Sequence, residues 1–214
     1  MKYTRGAVDS SQIGLIAGVL GVTVLIIGGA LFFMRPGEPV LTIPDPSGLA
    51  GLQSGQAPWI AETDNLKARL NAIGLPALSA EGNALHIHQH LEVFVNGQSV
   101  TVPPGFGINT SAGFISSIHS HDTRGVIHVE SPVVADFTLG QVFDIWGVKL
   151  TRECIGGYCT EGEKTLQVFV DGELYSGDPR TLVLTSHQQI VVAYGTPADL
   201  PNPIPASFTF AEGE

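Results

Sequence analysis

The stretch Leu85-His86-Ile87-His88-Gln89-His90-Leu91-Glu92-Val93-Phe94-Val95 alternates in polarity and runs directly into Asn96-Gly97. Side chains on a strand point to the two faces in turn, so His86, His88, His90 and Glu92 share one face. Leu85, Ile87, Leu91, Val93 and Val95 share the other, and only Gln89 interrupts them. A sheet that buries the Leu/Ile/Val side therefore presents a ladder of imidazoles on the opposite side. Asn-Gly suits the two positive-φ positions of a type I′ turn, which predicts a hairpin with Val93 opposite Val100 and Leu91 opposite Val102. Pro103-Pro104 cannot donate ladder hydrogen bonds, so His86 and His88 need a different neighbour.

A second segment offers it. Ile118-His119-Ser120-His121-Asp122, followed by Val126-Ile127-His128-Val129-Glu130, brings six of the seven histidines into two short stretches. A hairpin turning at Asp122-Thr123-Arg124-Gly125 sets His119 opposite His128 and His121 opposite Val126, with Ile127 and Val129 on the core side.

The remaining punctuation predicts an α+β domain. Leu66, Leu70 and Ile73 recur at helical spacing between Thr63 or Asp64 as cap and Gly74 as stop. Phe137 to Gly147 reads as a second helix, with Thr138 and Gln141 as a capping box, Phe137 and Val142 as a staple, and Leu139, Val142, Phe143 and Trp146 as its buried stripe. Thr165 to Val170, Asp171-Gly172 and Glu173-Leu174-Tyr175 form another hairpin, and Gln189 to Gly195 is apolar enough for a central strand. This order suggests a mixed sheet covering a helix.

Ahead of the domain, Ile13 to Met34 is 22 residues without a charge. At about 1.5 Å per residue it spans the roughly 30 Å hydrocarbon layer of a bilayer, and no small-x-small cleavage site follows it. The expected organisation is a cytoplasmic amino terminus (1–12), a single transmembrane helix (13–34), a Pro/Gly/Ser linker (35–58), an extracytoplasmic His-rich domain (59–195) and a carboxy-terminal tail (196–214). Lys2 and Arg5 before the helix orient it, leaving the cell membrane as location and the domain outside. Gly14 and Gly18 form a G-x-x-x-G in the helix, which leaves a homodimer open alongside an envelope protein partner. From Pro36 onward seven bases face nineteen acids, a net charge of −12 that argues against a nucleic-acid partner and suits cations. Cys154 and Cys159, outside the cytoplasm, are expected to be bridged.

The portion from Phe137 to Gly195, with its Thr138-Leu139-Gly140 helix, Val170-Asp171-Gly172 hairpin and closing strand after Ser186-His187-Gln188, resembles the second part of a β-grasp domain of the extracellular ligand-binding kind. From Leu75 the chain also resembles uncharacterised bacterial membrane-anchored proteins with clustered histidines. The first resemblance implies a β-grasp-like extracytoplasmic domain.

The chemistry follows from the histidines. Neutral imidazole binds Zn(II), Cu(II) and Ni(II), and His-x-His on one strand with a histidine on the next makes a tridentate set. His88, His90, His119, His121 and His128 are the expected metal ligands; His86 lies towards the strand's end and His187 in a turn. Glu92, Asp122 and Glu130 are near enough to serve as ligands or to fix ring tautomers, though solvated surface charge is the plainer role for each. Met1 and Met34 are the only methionines and lie outside the domain, which disfavours a Met-rich Cu(I) site and leaves Zn(II) or Cu(II). The expected function is capture of a divalent transition metal. The alternatives are a zinc-dependent hydrolase or hydratase built on three histidines, and a non-catalytic β-grasp interaction module of the envelope. No catalytic triad, phosphate loop or nucleotide motif supplies a catalytic or cofactor-binding residue.

Overall fold

The computed structural model of this chain describes residues 45–214. The transmembrane helix expected over Ile13–Met34 and the cytoplasmic stretch before it lie outside the described residues. Among the described residues, no helix is long and apolar enough to cross a membrane.

The architecture is α+β, mostly strands, with a mixed sheet. In chain order come α1 (Leu66–Ala72), β1 (Leu85–Val95), β2 (Gln98–Val100), β3 (Ile108–Asn109), β4 (Phe114–Ile115), β5 (Ile118–His119) and β6 (Val126–Ser131). Then follow α2 (Leu139–Trp146), β7 (Cys154–Ile155), β8 (Tyr158–Cys159), β9 (Thr165–Val170), β10 (Glu173–Leu174) and β11 (Gln189–Gly195). Seven strands form the main sheet in the order β10-β9-β11-β1-β6-β5, with β2 also on β1.

β1 organises the whole. Its second half pairs in parallel with β11, from His90 opposite Gln189 to Val95 opposite Tyr194, and antiparallel with β2. Its first half pairs antiparallel with β6, from Leu85 opposite Ser131 to His90 opposite Val126. The Asn-Gly turn forms as its chemistry requires, Asn96 at φ 48° and Gly97 at φ 76°. Val93 does lie opposite Val100. The expected pairing of Leu91 with Val102 is not made: β2 ends at Val100, and the Leu91 amide donates instead to the carbonyl of Gly125.

The apolar face of β1 packs with Ile127 and Val129 of β6 and Ile190 and Val192 of β11 against α2, whose Leu139, Val142, Phe143 and Trp146 are fully buried. α2 carries the expected capping box, Thr138 with Gln141, and stops at Gly147 in the left-handed region. α1 starts differently from expectation. Its cap position is Asn65, without a side-chain cap bond, because the Glu62 carboxylate accepts from the Asn65 amide and side chain.

Glu62 also pairs with the fully buried Arg69, whose guanidinium reaches the carbonyl of Ile145 at the end of α2 at 3.0 Å. Part of the stretch read as linker is hydrogen-bonded to the domain, for Gln53 bridges to Val148 and the Trp59 indole donates to the Gly55 carbonyl. Cys154 and Cys159 are bridged across the β7–β8 hairpin.

On the opposite face of the sheet Phe169, Val191 and Ala193 form a small apolar patch with Phe94, Leu200 and Ile204. The tail thus lies against that face, and its Phe208 stacks on the His90 ring with centroids 3.7 Å apart and planes 9° apart.

Candidate metal centre

Cross-strand register assembles the site. His88 of β1 lies opposite His128 of β6, and His128 lies opposite His119 of β5, so three imidazoles form a row across three strands on one face. One step along the pleat, His86 lies opposite Glu130. The turn after β5 is wider than the expected Thr123-Arg124 two-residue turn. β5 ends at His119 and β6 begins at Val126, with Gly125 at φ 85° and Asp122 Oδ1 accepting the Arg124 amide at 2.8 Å. His121 is therefore off the ladder rather than opposite Val126, and its Nε2 lies 3.2 Å from Nε2 of His119.

These side chains fall into two groups that could hold a metal ion: His119, His121, His128 and Glu130, and His86, His88 and Glu130, the ligand atoms of each group lying within 4.8 Å of one another. Tautomers support ligation. His119 Nδ1 lies 3.0 Å from the Ser116 carbonyl, which can only accept, so that nitrogen carries the proton and Nε2 keeps its lone pair. His128 Nδ1 lies 3.2 Å from Glu130 Oε1, an arrangement that frees its Nε2 in the same way.

Burial sets the electrostatics. Desolvation lowers His119 to about 4, against the Ser116 carbonyl that opposes it. Desolvation, then the neighbouring His119 and His88 rings, lowers His128 to about 3. His88 is lowered by burial first and by His86 second. At neutral pH these three rings are uncharged, the form that binds metal. Burial and the nearby Glu81 carboxylate push the Glu130 carboxyl up, a strain that a cation would relieve.

Of the five ligands expected from the sequence, the structure brings together His88, His119, His121 and His128. It sets His90 apart. Both its ring nitrogens face oxygens at 2.7 Å, Nδ1 that of Gln189 and Nε2 the carbonyl of Arg124, and Phe208 covers the ring, so neither nitrogen is offered to an ion. Glu92 and Asp122 are likewise engaged elsewhere, with Gln189 and Arg124. His187 lies in a turn at φ 59° with its ring stacked on Phe210.

Sequence reasoning left out His86 and Glu81. The position of His86 at the end of an alternating run was its only signal, whereas Glu81 Oε1, 3.6 Å from His121 Nε2, had none.

Fold and site together define a mixed-sheet α+β domain whose polar face carries a His/Glu cluster with metal-ligand spacing. Set against protein-family models, curated proteins and solved structures, the chain matches none.

Proposed function

We propose that this chain is a membrane-anchored, extracytoplasmic binding protein for a divalent transition metal, Zn(II) or Cu(II). The observation that carries the reading is the convergence of His119 and His121, from β5 and the loop after it, with His128 and Glu130 of β6, their ligand atoms within 4.8 Å of one another. Nitrogen and carboxylate oxygen without thiolate or thioether suit Zn(II) and Cu(II) rather than Cu(I). Four protein ligands complete a tetrahedral shell, which favours holding an ion over hydrolysis, where a water must occupy the fourth position.

The anchor is the uncharged run Ile13–Met34, and the Cys154–Cys159 bridge suits the oxidising side of a membrane. The strand order β2-β1-β11-β9-β10, with β1 and β11 parallel and α2 against one face, supports a β-grasp-like scaffold. β5 and β6 extend that scaffold along the first half of β1, and the ligands lie on the extension.

The test is elemental analysis and Zn(II) or Cu(II) titration of the purified full-length chain beside His119→Ala and His88→Ala. Stoichiometric metal that is weakened or lost in the variants supports the proposal. A chain that is isolated without metal and cannot be loaded with either ion overturns it.

A further inference from the structure

Glu130 belongs to both ligand groups, and its two oxygens face different histidines. Oε1 lies 3.3 Å from His86 Nε2 and 4.0 Å from His88 Nε2, and it also accepts from Nδ1 of His128 at 3.2 Å, a contact that leaves His128 Nε2 for the ion. Oε2 lies 3.9 Å from His119 Nε2. On either side of the carboxylate stands a pair of rings with their Nε2 atoms 3.2 Å apart, His86 with His88 and His119 with His121. Two nitrogens bound to one tetrahedral ion at about 2.0–2.1 Å stand about 3.3–3.4 Å apart. Each pair therefore already has the spacing of two ligands on a single ion, and it does so twice.

We infer that the cluster takes two divalent ions, bridged by the Glu130 carboxylate, one in an inner site of His119, His121 and His128 and one in an outer site of His86 and His88. This rests on the metal-binding reading above and extends it. The two sites are unlike. The inner ion has three imidazoles and a carboxylate oxygen, a complete protein shell. The outer ion has two imidazoles and the other oxygen, and one of those imidazoles, His86, has a side chain 51% exposed. Its shell must be completed by water or by a ligand from solution, so the outer ion is the exchangeable one. A carboxylate bridge holds two ions about 3.5–4 Å apart, and the bridging charge together with nearby Glu81 offsets their mutual repulsion.

The test loads the purified full-length chain with Cu(II), counts ions by elemental analysis and records the electron paramagnetic resonance spectrum. Two ions per chain with a spectrum attenuated by coupling are expected. The His86→Ala/His88→Ala double variant is expected to bind one ion and show the full signal of isolated Cu(II). Glu130→Gln, nearly isosteric and checked for folding by circular dichroism, is expected to lose the coupling. One ion per chain in the unaltered protein would overturn the inference while leaving the metal-binding reading intact, whereas no ion would overturn both. Two ions with uncoupled spectra, or a double variant that still binds two, would also overturn it.

Discussion

His88 and His128 are direct cross-strand partners, their ring centroids 4.5 Å apart and their planes at 86°. His128 also stands in register with His119 on its other side, 5.3 Å away between centroids. It is thus the middle of the row, and no other imidazole can replace it without a shift of register. Replacing His128 by Ala should weaken Zn(II) binding at least about a hundredfold, the scale on which even supporting groups of metal sites act. Competition titration against a chromophoric chelator reads the loss, and unchanged affinity would remove His128 from the ligand set.

Buried neutral rings make the metal-free chain sensitive to acid. His119 at about 4 and His128 at about 3 stay uncharged in the folded protein, whereas in the unfolded chain they titrate near 6.5. Below that value the unfolded state binds protons the folded state refuses, so stability falls as pH drops from about 6.5 towards 4, by up to about 1.4 kcal/mol per pH unit for each ring. Above about 6.5 these rings contribute no pH dependence. Glu130, whose carboxyl is raised by burial, works in the opposite sense. Urea denaturation after chelator treatment, between pH 4.5 and 7.5, should show midpoints that decline with acidity. A flat profile would contradict the burial of these rings.

Away from the site, Asp144 of α2 accepts two hydrogen bonds from Arg180, at 2.9 and 2.8 Å, with both residues buried. Burial pushes the Asp144 carboxyl up, although the guanidinium beside it pulls down. Removing one partner of such a pair is worse than removing both. Asp144→Ala should cost about 3–5 kcal/mol, and adding Arg180→Met to Asp144→Leu should recover most of it. Thermal or denaturant unfolding of the single and double variants decides it, and a double variant no more stable than the single would refute the argument.

Local chemistry made part of this protein legible from its sequence. Asn96-Gly97, the Thr138–Gln141 capping box and the Asp171-Gly172 turn are self-contained signals, and each appears where its residues place it. The register counted from a turn at Asp122-Thr123-Arg124-Gly125 put His119 opposite His128, and the pairing is made although the turn itself is wider. What parity cannot supply is the identity of distant neighbours. His90 has the same face and alternation as His88, yet Gln189, about a hundred residues away, and the Arg124 carbonyl in the turn before β6 take up its two nitrogens, and Phe208 of the tail covers its ring. Glu130 looked like a surface charge because its burial arises only when β6 lies between β1 and β5. His121 joined the cluster by leaving the ladder, a consequence of a loop wider than the shortest turn its sequence allows.

Gln89 is the one residue that breaks the apolar face of β1, and the break is real in the fold. It is fully buried opposite Ile127, and neither its amide nitrogen nor its oxygen has a hydrogen-bond partner in the protein. A buried polar group left without partners costs about 1–3 kcal/mol, so an unbranched apolar side chain of similar length should fit better. Gln89→Met should raise the unfolding free energy by roughly that amount while leaving metal stoichiometry unchanged, since the side chain points away from the imidazoles. Denaturant unfolding measures the first and elemental analysis the second. A variant less stable than the parent would mean that the amide does have a partner in solution, such as a trapped water, and that the polar interruption is part of the design of the core.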